Sequence, residues 1–233
     1  MGESLLMKSV KCASLGVLVC LFSVGLFLSP CTQAEMYVAA QGGYAFTNKL
    51  TTVQGNGLNT GTQFSDLTIS DSYMYGARVG YFFGDPKDNI FGIEFEADNT
   101  NPSVKQQIRT RPGGAAPIQV NGNRLRVTTM ALNVVARTPR FGKFQPYAGV
   151  GPGVFLAKDS SPAGSHSFDQ STTVGLNAFA GLRYFFTDHV ALFGEYKYNQ
   201  AALHFANFFG ATESGARVHY SANIVLAGLA YHF

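Results

Sequence analysis

Residues 73–83 read Tyr73-Met74-Tyr75-Gly76-Ala77-Arg78-Val79-Gly80-Tyr81-Phe82-Phe83. Tyr73, Tyr75, Ala77, Val79, Tyr81 and Phe83 fall on one parity; Met74, Gly76, Arg78, Gly80 and Phe82 fall on the other. Successive side chains of a strand point to opposite faces. The segment therefore reads as a strand with one unbroken apolar face and one face that carries glycine and a cation.

The same contrast returns along the chain. From Ile90 to Asp98, Phe91, Ile93, Phe95 and Ala97 oppose Gly92, Glu94, Glu96 and Asp98. From Thr173 to Phe186, Val174, Leu176, Ala178, Ala180, Leu182, Tyr184 and Phe186 oppose Gly175, Asn177, Gly181 and Arg183. From Val190 to Asn199, Leu192, Tyr196 and Tyr198 oppose Glu195 and Lys197. Four less regular segments complete a set of eight: Tyr37 to Phe46, Leu125 to Arg137, Tyr147 to Ala157 and Val218 to Phe233. In the fourth strand Leu125 and Val127 fall on one parity while Met130, Leu132 and Val134 fall on the other, so a bulge near Thr128-Thr129 is expected. Pro146 and Pro152 leave the register of the fifth strand open.

The connections alternate in length. Gly84–Asn89, Thr138–Gln145 and Thr187–His189 are short; Thr47–Ser72, Asn99–Gly122, Lys158–Ser171 and Gln200–Arg217 are long and polar. Short turns at one rim and long loops at the other are the habit of outer-membrane barrels, whose long loops face the exterior. A β-sandwich gives no reason for that alternation. Aromatic residues fall at both rims: Tyr81, Phe83, Phe91, Phe144, Tyr147, Tyr184, Phe186, Tyr231 and Phe233 near the short turns, and Tyr44, Phe46, Tyr73, Tyr75, Tyr196, Tyr198 and Tyr220 toward the loops. Two girdles suit the two headgroup boundaries of a bilayer. The expected fold is all-β, an eight-stranded antiparallel transmembrane up-and-down β-barrel.

The N-terminus is expected to be a cleaved signal peptide over residues 1–34, with the barrel domain over 35–233. Lys8 and Lys11 precede an apolar run from Ala13 to Leu28, followed by Pro30 and Thr32-Gln33-Ala34. The run is short for a membrane-spanning helix, and Pro30 before Cys31 fits a lipidation site poorly. Cys12, Cys20 and Cys31 all lie before the expected cut, so no disulfide, thiolate metal site or cysteine nucleophile is expected in the mature barrel. Removal of Glu3, Lys8 and Lys11 takes the formal charge from +3 to +2. That leaves no concentrated basic face for nucleic acid.

Three stretches resemble the OmpA-like family of small outer-membrane barrel proteins: Gln145-Pro146-Tyr147-Ala148-Gly149-Val150-Gly151-Pro152-Gly153; Ala180–Asp188 running into Glu195-Tyr196-Lys197-Tyr198; and the C-terminal Val225, Ala227, Leu229, Tyr231, Phe233 with Gly228 among them. The resemblance implies residence in the bacterial outer membrane, contact with its lipid and lipopolysaccharide, and a barrel without the peptidoglycan-binding domain of longer members. It also implies that Gly228, Leu229, Tyr231 and Phe233 form the signal read by the barrel-assembly machinery. Leu226 departs from the pattern, which usually has a polar residue there. The family includes adhesins and structural proteins, so the resemblance implies fold and place more than activity.

On the inward parity stand Arg78, Glu94, Glu96, Arg183, Glu195 and Lys197, three charges of each sign. An eight-stranded barrel is just wide enough inside for side chains to fill it, and interleaved opposite charges can satisfy one another there. These residues are therefore expected to form a polar plug, with a narrow ion pathway as the alternative. Glycosidase-like use of Glu94 and Glu96 would need a cleft that a filled lumen lacks.

His219 and Ser221 on the last strand point the same way, outward near the loop rim, an arrangement resembling that of outer-membrane lipid A deacylases. No acid follows Ser221, and Glu213 would have to fold back to orient the histidine, so no enzyme activity is expected. His166, His189, His204 and His232 lack metal-ligand spacing, and no cofactor is expected. Gly149, Gly151 and Gly153 precede neither a helix nor a Lys-Ser/Thr pair, so they read as relief of crowding or register strain inside a small barrel rather than as a phosphate-binding loop. The sequence thus points to a structural or surface-interaction protein acting through its loops. A small pore or carrier for ions or small solutes is one alternative, and a lipid A deacylase using His219 and Ser221 is the other. Lys105, Arg109 and Arg111 in the second loop, with little opposing charge, read first as solvated loop, with contact to anionic sugars or host surfaces as the alternative.

Overall fold

The computed structural model describes residues 35–47, 51–55, 63–64, 70–84, 90–103, 107–109, 118–120, 124–138, 140–160, 170–205 and 216–233. The expected signal peptide and the loop residues Lys105 and Arg111 lie outside these. The strands are β1 (Glu35–Thr47), β2 (Thr51–Gly55), β3 (Gln63–Phe64), β4 (Ser72–Phe82), β5 (Phe91–Thr100), β6 (Gln107–Arg109), β7 (Ile118–Val120), β8 (Arg124–Arg137), β9 (Phe144–Ser160), β10 (Gln170–Phe185), β11 (Val190–Phe205) and β12 (Ala216–His232).

Eight of them form the barrel in the order β1-β4-β5-β8-β9-β10-β11-β12, every pair antiparallel, and β1 closes the ring by pairing with β12 from Tyr37↔His232 to Thr47↔Ala222. The four short strands belong to the long connections. β2 pairs with β12 and β3 with β2, while β6 and β7 form a separate hairpin.

The stagger of the closed sheet can be followed from residue to residue. Ladder partners run from Glu35 through Phe82, Gly92, Val135, Gly149, Phe179, Lys197 and Ile224 and return to β1 at Ala45, ten residues beyond the start. With strands about 4.8 Å apart and a rise of about 3.3 Å per residue, that offset tilts the eight strands by about 40°. The outward face of β4 and the residue after it, from Tyr73 to Phe83, then spans about 25 Å along the barrel axis, the height of an outer-membrane apolar band.

Alternation holds along the barrel strands, with β4 following the pattern of residues 73–83. Outward positions on the described barrel strands carry aliphatic and aromatic side chains such as Phe95, Leu132, Val150, Leu182 and Leu229, all exposed, which gives the barrel an apolar outer belt. At the short-turn rim, Phe141 and Phe144 close a two-residue hairpin by mutual backbone bonds of 2.7 and 3.1 Å, with Gly142 supplying the positive φ of 63° that such a turn requires.

Three expectations are corrected and one open register is decided. No bulge interrupts β8: its register is constant against β5 and shows no shift against β9, so Val127 simply faces the lumen. The two parities of that strand conflict because the lumen itself is apolar toward the loops, where Met74, Val127, Phe155, Leu203 and Tyr220 are buried. Tyr220 packs into that apolar end and Tyr147 turns into the lumen nearer the short turns, so both leave the girdles, buried at 1% and 4% exposure. β9 is continuous through both prolines. Pro152 lacks the N–H that would bond to β8, and the ladder skips Leu132/Pro152 and Asn133/Gly151 before resuming in the same register. β11 continues past Asn199 to Phe205, since Ala201 and Leu203 keep the inward parity against β12.

Candidate functional site

The middle of the lumen holds one connected polar network. Arg78 on β4 is its hub. Its Nη1 and Nη2 donate to the two carboxylate oxygens of Glu195 on β11 at 2.8 and 3.0 Å, a forked pair that crosses the lumen. The same guanidinium stands 3.0 Å from Glu96 and 3.4 Å from Glu94 on β5 and donates to Gln41 Oε1 on β1. Lys197 on β11 reaches Glu96 at 2.6 Å and Asp98 at 2.7 Å.

Neutral groups complete it. Gln41 Nε2 donates to Asp98 at 2.6 Å and Glu96 at 3.2 Å. Asn177 on β10 donates to Glu96 at 3.2 Å and to Asn133 on β8 at 3.0 Å. Tyr37 donates to Glu94, and Tyr147 on β9 donates to Glu195 at 2.8 Å. Every barrel strand except β12 contributes at least one of these side chains. Arg78, Glu94, Glu96, Glu195 and Lys197 are each 4% exposed or less. Above the network lies the apolar end of the lumen, the Phe179 and Phe193 rings flank the Arg78 guanidinium at 5.3 and 5.1 Å, and Phe82 lies toward the short-turn end.

Of the six charged residues singled out in the sequence, five meet in this network and Arg183 does not. The Arg183 guanidinium sits 4.5 Å from the Tyr37 ring and 4.3 Å from the Tyr147 ring, held by cation–π contact with no carboxylate partner among the described residues. Asp98 enters in its place. The three-against-three balance thus becomes Arg78 and Lys197 facing Glu94, Glu96, Asp98 and Glu195. Asp98 shares the parity of Glu94 and Glu96 and could have been found from it. Gln41, Asn133 and Asn177 were discernible in the same way.

A second cluster ties the short-turn end. Arg137 Nη1 on β8 donates to Glu35 Oε1 at 2.9 Å, His232 on β12 bonds the same carboxylate, and the Arg137 guanidinium stacks 3.7 Å over Phe82. Glu35 lay outside the first strand as read from sequence, directly after the expected cleavage point.

His219 is exposed and Ser221 half-buried on the outward side of β12, opposite Ala202 and Gln200 of β11. No described carboxylate bonds to His219, and Glu213 lies outside the described residues. Leu229, Tyr231 and Phe233 are outward and exposed; Gly228 faces inward, where an added Cβ would lie 2.4 Å from Ala40 O and from the Phe193 ring. Among the described residues no group of His, Cys, Asp and Glu is arranged to hold a metal ion.

The profile of the outer membrane protein beta-barrel domain matches residues 18–233. Among solved structures, the outer membrane protein OprG from Pseudomonas aeruginosa superimposes with a TM-score of 0.58 at 14% identity, over 87% of this chain and 97% of that one. The outer membrane protein AlkL, solved in DMPC lipid bilayers, gives 0.51 at 16% identity, over 88% and 93%. At these identities the likeness is one of fold. No curated protein matches the chain in sequence.

Proposed function

Because the chain belongs to the outer membrane protein β-barrel domain family and resides in the bacterial outer membrane, we propose that it is a closed-lumen barrel whose exterior loops make contacts at the cell surface. The observation that carries this reading is the Arg78–Glu195 fork across the lumen, joined by Lys197 to Glu96 and Asp98. A solute crossing the barrel would have to part these buried pairs, and the desolvation of each freed charge opposes that. The barrel then serves as a rigid mount, and β2 and β3 extend its wall beyond β12 into the first loop.

Planar bilayers loaded with the purified protein are expected to carry no more current than the protein-free membrane; stepwise conductance by the intact barrel would refute a closed lumen. Shortening the loops one at a time should abolish binding of protein-bearing cells to a surface ligand for at least one loop. A screen in which all shortened versions bind like the intact protein would end the loop reading.

Phe233, bonded through its backbone N–H to Met36 O at 2.9 Å, is assigned with Tyr231, Leu229 and Gly228 to recognition by the assembly machinery. Deleting Phe233 should lower the amount of inserted barrel severalfold, as read from outer-membrane fractions. An unchanged level would remove that assignment.

A further inference from the structure

The lipid-facing surface ends differently on its two sides at the loop rim. On β1, β4, β11 and β12 the outward positions approaching that rim are Tyr44, Phe46, Tyr73, Tyr75, Tyr196, Tyr198 and Asn223, followed on β12 by Ser221 and the exposed His219. On β8 and β9 the apolar columns Val134, Leu132, Met130 and Val150, Val154, Leu156 give way to Arg126 and Lys158, both exposed. These two cations are direct ladder partners. Like charges facing one another across an antiparallel pair, with Cβ atoms about 5 Å apart, repel. Arg126 Nε donates to Asn101 Oδ1 at 3.2 Å, and among the described residues neither cation has a carboxylate partner. One step toward the membrane, Asn99 donates to Thr128 Oγ1 at 2.9 Å, which makes a polar shelf at headgroup depth.

An anion between the two heads would turn their repulsion into two charge-assisted contacts. A phosphate is the matching shape, since its oxygens accept the arginine fork while the ammonium supplies a second charge. The surface below the pair is apolar and continuous with the lipid band, so the anion must belong to an amphiphile whose chains run down that face. At the exterior rim that amphiphile is the phosphorylated glycolipid of the outer leaflet.

We propose that Arg126 and Lys158 form a binding site for a phosphate of lipid A, with its acyl chains lying along Met130, Leu132, Val154 and Leu156. The site rests on the loop rim facing the exterior and is independent of whether the lumen conducts or the loops bind.

The test measures retention of lipid A by the folded, detergent-solubilised protein, using native mass spectrometry and titration. Lipid A, its dephosphorylated form and phosphatidylglycerol serve as probes. The intact barrel is expected to hold lipid A in preference to both others, and Arg126→Gln with Lys158→Gln should weaken that binding about tenfold or more. Lys158→Glu separates this role from a structural one. It places a carboxylate opposite Arg126, so the barrel should resist heat at least as well as the parent while lipid A retention falls. Equal binding by parent and variants, indifference to the phosphates, or equal uptake of phosphatidylglycerol would each overturn the proposal. Silent bilayers and lost loop binding would be unaffected by that failure.

Discussion

Arg78→Met is expected to cost the barrel roughly 3–5 kcal/mol of folding stability, the usual penalty for removing one partner of a buried ion pair. Methionine fills much of the space of the arginine stem. The loss therefore comes from charge: Glu195 loses both forked bonds, and Glu94 and Glu96 lose their shared cation. Lys197 cannot take over, because its Nζ is already at 2.6 and 2.7 Å from Glu96 and Asp98 and is 3.9 Å from Glu195. Arg78→Lys should fall between parent and Arg78→Met, since it keeps the charge and loses the fork. The chain contains no tryptophan, so urea unfolding in detergent is best followed by far-ultraviolet circular dichroism. A loss within about 1 kcal/mol for Arg78→Met, the range of an exposed pair, would show that the network does not hold the barrel together.

The second large effect is steric. At Gly151 an added Cβ would stand 2.0 Å from Leu132 O and 2.7 Å from Asn133 Cα, both main-chain atoms of the neighbouring strand. Backbone cannot rotate aside as a side chain can, so Gly151→Ala must push β8 and β9 apart where Pro152 already interrupts their ladder. A loss of about 1–3 kcal/mol is expected, at the upper end of that range for overpacking. Two alanines serve as controls. At Gly153 the nearest contacts are the Phe155 ring at 3.3 Å and the Ala131 Cβ at 3.4 Å, so a small shift suffices. At Gly194, on the lipid face, nothing lies within 4 Å, and alanine should be neutral or mildly stabilising. If all three variants unfold at the same urea concentration, the close approach of β8 and β9 does not constrain the barrel.

Both predictions turn on a property that the alternation of residue types does not contain. Reading residues 73–83 at period two puts Arg78 inside, and the same reading puts Glu195, Lys197 and Asp98 inside. It is silent about which of them share a level. The ten-residue stagger brings Arg78 to Glu195 across the lumen and leaves Arg183 one layer lower between Tyr37 and Tyr147. Parity also failed where its premise failed. Inward was taken to mean polar, yet Val127, Phe155 and Tyr220 are buried inside at the loop end. There the fourth strand gave conflicting faces and Tyr220 was assigned to lipid. At the prolines the sequence left the register open. Pro152 was read as a threat to register, but a missing N–H removes bonds from one edge without moving the residues that flank it.

What the sequence by itself determined is the number of barrel strands, the face taken by the side chains of the regularly alternating strands, the rim at which the long loops lie and the membrane that receives the barrel. All of these follow from local periodicity and from apolar and aromatic placement along single strands. What only the tertiary structure decided is who meets whom: the Arg78 hub, the exclusion of Arg183, the Glu35–Arg137–His232 clasp and the facing of Arg126 by Lys158. Such contacts depend on the offset between neighbouring strands, summed around a closed sheet. An offset belongs to pairs of strands and to closure, so no single stretch of sequence carries it.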